Sequence, residues 1–135
     1  MKIRTSPALL GRTFPGGIYK AVISGRKVTT SKEAGNPLMQ IEFTITSPGP
    51  DPKVETIGRK LWDNLTFTEQ SIWKSNFLHV AVTGQDIPDK EFSSDEFFAY
   101  MWNVVQNKPV LLEVVEGSYN GQARMEISKV SRLAQ

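Results

Sequence analysis

The chain contains no cysteine. That absence removes disulfide frameworks, cysteine-ligated zinc, iron–sulfur clusters and thiol nucleophiles together. It fits a reducing compartment. Histidine is scarce too: His79 is the only one, and it reads as a surface or half-buried helix residue rather than a catalyst. Catalytic triads and histidine metal clusters therefore have little to be built from. No apolar run approaches the roughly 18 residues needed to cross a bilayer. The opening MKIRTSPALLGRTF offers only Leu9 and Leu10 as an apolar centre, unlike a secretory signal. The expectation is a cytoplasmic protein without membrane contact. Gly-x-x-x-x-Gly-Lys and Gly-x-Ser-x-Gly are both missing. Asp51, Glu55 and Asp63 are loosely spaced and share no metal-ligand motif. These absences point to a protein that is not an enzyme and uses no cofactor or metal.

Acid is also lacking at the front of the chain. The first 32 residues hold seven lysines and arginines and no aspartate or glutamate. Residues 1–60 carry ten basic and four acidic side chains, a surplus of +6; residues 61–135 carry six and ten, or −4. Such asymmetry suggests a basic face for a polyanion. The 135 residues, 39% hydrophobic, suffice for one domain with its own core. Residues 1–13 read as a basic arm and 14–135 as the domain.

What is present reads mostly as strands. Residues 18–30, IYKAVISGRKVTT, are rich in β-branched residues and bend at Gly25. A polar loop, 31–37, ends in Gly-Asn-Pro. Residues 38–47 alternate: Met39, Ile41, Phe43 and Ile45 face one way, Gln40, Glu42, Thr44 and Thr46 the other. After a proline-rich connection, residues 54–65 form a third strand. Its core parity is Ile57, Leu61 and Leu65, and Lys60, Trp62 and Asn64 face out. Arg59 falls on the core parity, which a bulge near Gly58 would relieve. Thr66 and Glu69 have capping-box spacing before a helix over 69–83, with Trp73, Phe77, Val80 and Ala81 as its buried stripe and Gly84 as its stop. Ser93 and Glu96 open a second helix, with Phe97, Met101, Val104 and Val105 on one side. Strands over 110–116 and 122–132 flank an Asn120-Gly121 hairpin signal.

Three strands, a helix or two, and two more strands is the order of a five-stranded OB-fold barrel, mainly β with a helical insertion. A different small α+β sheet fits the same order. The segments PGGIYKAVISG, SKEAGNPLMQIEFTI and LWDNLTFTEQSIWK resemble the phage-encoded single-stranded DNA-binding proteins with an OB fold. The resemblance runs from about residue 14 to 132. It rests on Ser31, Lys32, Gly35, Asn36 and Pro37, then Asp63, Asn64 and Leu65, then Trp73 and Lys74, then Tyr119 and Gly121. It implies coating of single-stranded DNA in phage replication, recombination or repair. Phage or host replication and recombination proteins are implied as further partners, and a homodimer is open. Many replication-type members carry an acidic tail that recruits partners; here the sequence ends SKVSRLAQ, with two basic residues and no acid.

Single-strand binding needs a basic groove and aromatic platforms for bases. In an OB barrel the face is made by strands 2 and 3, walled by the loops after strand 1 and between strands 4 and 5. The expected nucleic-acid contacts are therefore Arg26, Lys27, Lys32, Asn36, Arg59, Lys60, Trp62 and Tyr119. Arg26, Lys27, Lys32 and Lys60 would neutralise phosphates; Trp62 and Tyr119 would stack on bases. The second helix or a partner could instead cover Trp62, and Tyr119 could pack locally. DNA and RNA both fit, and a protein-docking barrel without nucleic acid is the alternative function.

Overall fold

Strict alternation in MQIEFTI decides the centre of the molecule. Met39, Ile41, Phe43 and Ile45 are all buried, and Gln40, Glu42 and Thr44 between them are not. In the computed structural model, which describes residues 16–31, 34–50, 54–119 and 122–133, this segment is β2 (Pro37–Ile45), the second of five antiparallel strands. Side chains of 117–119 and 122–124 lie outside the description. The other strands are β1 (Gly17–Thr30), β3 (Lys60–Thr66), β4 (Pro109–Tyr119) and β5 (Gln122–Arg132). Helices α1 (Ile72–Thr83) and α2 (Ser94–Val105) follow β3 and precede β4. No helix among the described residues is long and apolar enough to cross a membrane.

The hydrogen-bonded order is β3-β2-β1-β4-β5. β1 is long enough to serve two partners. Its first part, Gly17–Val22, pairs with β4, and Ala21–Thr30 pairs with β2. The sheet curls into a half-barrel, with β3 and β5 approaching across the open seam. A register shift between Ile23 and Gly25 leaves Ser24 as an extra residue opposite β2. The bend expected at Gly25 is this bulge.

The concave side holds the core. Tyr19, Ala21 and Ile23 of β1 meet the β2 residues above, Leu61 and Leu65 of β3, and Val110, Leu112 and Val114 of β4. Helix α2 closes it with Phe97, Phe98, Met101 and Val105. Its start behaves as its sequence predicts: Ser93 Oγ accepts from the Glu96 amide and the Glu96 carboxylate accepts from the Ser93 amide.

Several expectations fail here. Thr66 does not cap α1, because it is paired to Leu38 as the last residue of β3, and the next amide, Phe67, donates to the Pro37 carbonyl. The helix starts at Ile72, with no side-chain cap from Ser71. The third strand begins at Lys60, not at 54. Gly58 adopts φ 88° in a turn rather than a bulge, and Ile57, expected in the core, is 53% exposed. The buried face of α1 is Ser75, Leu78, His79 and Ala81, so Trp73 and Phe77, at 57% and 64% exposed, point outward and Val80 is half-buried.

His79 is thus buried. Its Nδ1 lies 2.7 Å from the Gln85 carbonyl and its Nε2 2.8 Å from the Tyr100 hydroxyl, with the two rings stacked. It joins α1 to α2. Ser75 Oγ, by contrast, is buried without a hydrogen-bond partner. An unpartnered buried hydroxyl retains a desolvation penalty of about 1–3 kcal/mol, and alanine favours helix more than serine does. Ser75→Ala is therefore expected to leave stability unchanged or to raise it. Urea unfolding checks this; a clear loss of stability would show that the hydroxyl has a partner in solution.

Candidate nucleic-acid interface

The convex side of β1–β2–β3 carries the side chains that the core does not use. Residues directly opposite one another in a sheet share a face, so the register sets out three rows across it. Lys60, Thr44 and Val22 form one, Trp62, Glu42 and Gly25 the next, and Asn64, Gln40 and Lys27 the third. Trp62 sits in the middle row, 53% exposed, and α2 does not cover it. An indole of this size left half in water gives up much of the burial that tryptophan usually attains.

Glu42 occupies the centre of this face. Its Oε1 is 3.3 Å from Lys60 Nζ and accepts from Ser24 Oγ at 2.9 Å. Ser24 also lies 2.7 Å from Thr44 Oγ1. The bulge makes this network: as the extra residue of β1, Ser24 turns its hydroxyl onto the convex side. Gly25 leaves room for the carboxylate, since a Cβ there would stand 3.3 Å from Glu42 Oε1. Sequence alternation places Glu42 outward but is blind to Ser24, whose side depends on the bulge. The Ser24-Gly25 pair in mid-strand was the available signal.

The loop joining β1 to β2 borders the row of Lys27. Its base is closed by Ser31: the Ser31 amide donates to the Asn36 carbonyl, the Gly35 amide to the Ser31 carbonyl, and the Asn36 amide to Ser31 Oγ, all within 2.8–3.0 Å. Gly35 has φ 67°, a left-handed conformation that favours glycine. The Ser-x-x-x-Gly-Asn pattern is thus a loop-closing device. Lys32, the expected phosphate contact in this loop, lies outside the described residues.

Two expected residues are not brought to the convex face. Arg26 is opposite Ile41 and so falls on the concave parity; its guanidinium lies 5.4 Å from the Trp102 ring of α2. Arg59, just before β3, is next to Tyr19. Burial pushes the Tyr19 hydroxyl pKa above 10.0, and the positive charge of Arg59 opposes that shift. Tyr119 pairs with Gln122 at the end of β4, and its side chain is outside the description. Of the expected contacts, Lys27, Lys60 and Trp62 share the face, with Asn36 in the loop at its border.

A second aromatic site is unexpected. Trp73 and Phe77 of α1 pack edge to face, 5.6 Å apart, beside a cavity of about 360 Å³ in the seam between β3 and β5. Lys74 between them is held by Asp63 at 2.6 Å, tying α1 to the concave side of β3. Among the described residues no three His, Cys, Asp or Glu side chains converge as a metal site. No protein-family model matches this chain, and no curated protein is significantly similar to it.

Proposed function

We propose that this chain is an OB-fold protein, of the phage-encoded kind, that binds single-stranded DNA with little dependence on sequence and acts in phage DNA replication, recombination or repair. The observation that carries this reading is Trp62: a half-exposed indole on a three-strand face, in the row between that of Lys60 and that of Lys27. An aromatic platform beside cations supplies both things a single strand offers to bind, base faces and phosphate charge. The strand order β3-β2-β1-β4-β5, with β3 and β5 facing each other, supports the OB assignment. In this reading the chain works in the host cytoplasm as a coating protein, without catalysis or a cofactor.

Phosphate neutralisation has a signature in salt. Log affinity for a single strand falls against log salt by about 0.7 per phosphate contact. Lys27→Ala, on an exposed position, is expected to make that slope shallower by about 0.7. Filter binding of a dT oligonucleotide across a salt series checks it. An unchanged slope would remove Lys27 from the interface.

A protein-docking barrel is the second reading, and one observation favours it. Trp73 and Phe77 form an exposed apolar pair away from the convex face. Trp73→Ala would leave single-strand affinity intact under the first reading; loss of all DNA binding signal in the unmutated chain would favour the second.

A further inference from the structure

A protein that merely coats phosphates gains nothing from a carboxylate in the middle of its binding face. Glu42 would repel the backbone, yet it is held there by a dedicated arrangement. Ser24 donates to Oε1, Lys60 pairs with the same oxygen, and Gly25 leaves the space into which the carboxylate lies. Both contacts fall on Oε1. Glu42 is also the direct cross-strand neighbour of Trp62, which puts the two side chains roughly 5 Å apart at their Cβ atoms.

We infer that Trp62 and Glu42 together form a base-reading subsite: the indole stacks one base, and the fixed carboxylate accepts hydrogen bonds from that base's edge. This deepens, and rests on, the single-strand reading of the convex face. In a single strand the Watson–Crick edge is open to such contacts. A carboxylate is acceptor-only. Guanine offers it two adjacent donors, the N1 and N2 hydrogens. Cytosine and adenine offer one amino group each. Thymine offers a single N3–H flanked by two carbonyl oxygens, which the carboxylate repels. The subsite therefore favours guanine most and thymine least. The remaining nucleotides are held by phosphate contacts, which carry no sequence information.

The test is an affinity series on the intact chain with four strands of equal length, about 30 nucleotides, enough for several OB sites. One is all dT. The others carry isolated dG, dI or dC residues spaced through dT, so that guanine cannot form quadruplexes. A well-placed edge contact discriminates by roughly five- to 150-fold. The dG strand is expected to bind about tenfold more tightly than dT, near the low end of that range because only part of the strand is read. Inosine, which keeps the N1 hydrogen but lacks the N2 amino group, falls between. Glu42→Gln, at a half-exposed position, abolishes the ranking. It also raises affinity for dT, because Lys60 is released from its ion pair. Equal affinities for the four strands, or a ranking that survives Glu42→Gln, would overturn the subsite and leave the single-strand reading standing. Absence of binding to every strand would overturn both.

Discussion

Trp62→Ala is expected to weaken binding of a single strand by about five- to 150-fold, the equivalent of roughly 1–3 kcal/mol for one stacked base. The fold should not change, because the indole already stands half in water on the convex side, opposite the face that holds the core. Two measurements separate the effects: affinity for a dT oligonucleotide, and the midpoint of urea unfolding. Trp73→Ala provides the comparison. It removes an indole of the same size and similar exposure from α1, at a place with no part in the proposed face. Equal losses of affinity in the two variants would mean that exposed indoles contribute without regard to position. Unfolding of the Trp62 variant would mean that β3 is turned the other way round.

The second large effect concerns stability. Phe43 is buried in the middle of β2, on the same face as Ile41 and Ile45. Phe43→Ala is expected to destabilise by about 3–5 kcal/mol, from lost burial and the cavity left behind. Total stability of a domain is only about 5–15 kcal/mol, so the variant should lose a large share of it and unfold at a clearly lower urea concentration. Phe77→Ala removes an equal side chain from the outward face of α1, and with only its edge-to-face contact with Trp73 to lose it should cost about 1.5 kcal/mol or less. Urea unfolding of both decides it. A large loss at Phe77 with a small one at Phe43 would reverse the assignment of α1's faces.

Those two phenylalanines also mark what the sequence could and could not tell. Period-2 alternation in β2 is unambiguous, since each step from Met39 to Ile45 changes between apolar and polar. Phe43 therefore reads correctly as core and Glu42 as outward. The same parity rule placed Leu61 and Leu65 inward and Trp62 outward on β3. It failed at Ile57, where a left-handed turn at Gly58 stops the strand pattern from extending back. Helix α1 defeated it for another reason. Its sequence, IWKSNFLHVAVT, has apolar residues all round, so no single stripe stands out. The choice of buried face is made by β5, β3 and α2, which pack against it. That choice takes Ser75 and His79 inside and leaves Trp73 and Phe77 outside, an outcome tertiary contacts decide and composition does not. The first cap failed similarly, because sheet pairing by Thr66 outweighs its capping propensity. The second cap, Ser93 with Glu96, stands in a loop free of such competition and formed as read.

The candidate site was partly legible. Lys60 and Trp62 follow from alternation; Lys27 does not, because alternation from the buried Tyr19, Ala21 and Ile23 would set it inward and only the bulge at Ser24 turns it out. Arg26 and Arg59 do not belong with them: the bulge at Ser24 shifts parity along β1, and the turn at Gly58 sends Arg59 towards Tyr19. Basic residues adjacent in sequence, Arg26 and Lys27, consequently serve opposite sides of the sheet.

The central claim is that bases stack on Trp62, and a chain keeping Trp62 as its only tryptophan tests it directly. Trp73→Phe and Trp102→Phe would remove the other two indoles. The measurement is intrinsic fluorescence on titration with a dT strand of about 30 nucleotides, at two salt concentrations, with duplex DNA as control. Stacking predicts saturable quenching by the single strand alone, moving to higher concentration as salt rises. A single strand that binds in a parallel gel shift yet leaves the Trp62 emission untouched would contradict the account.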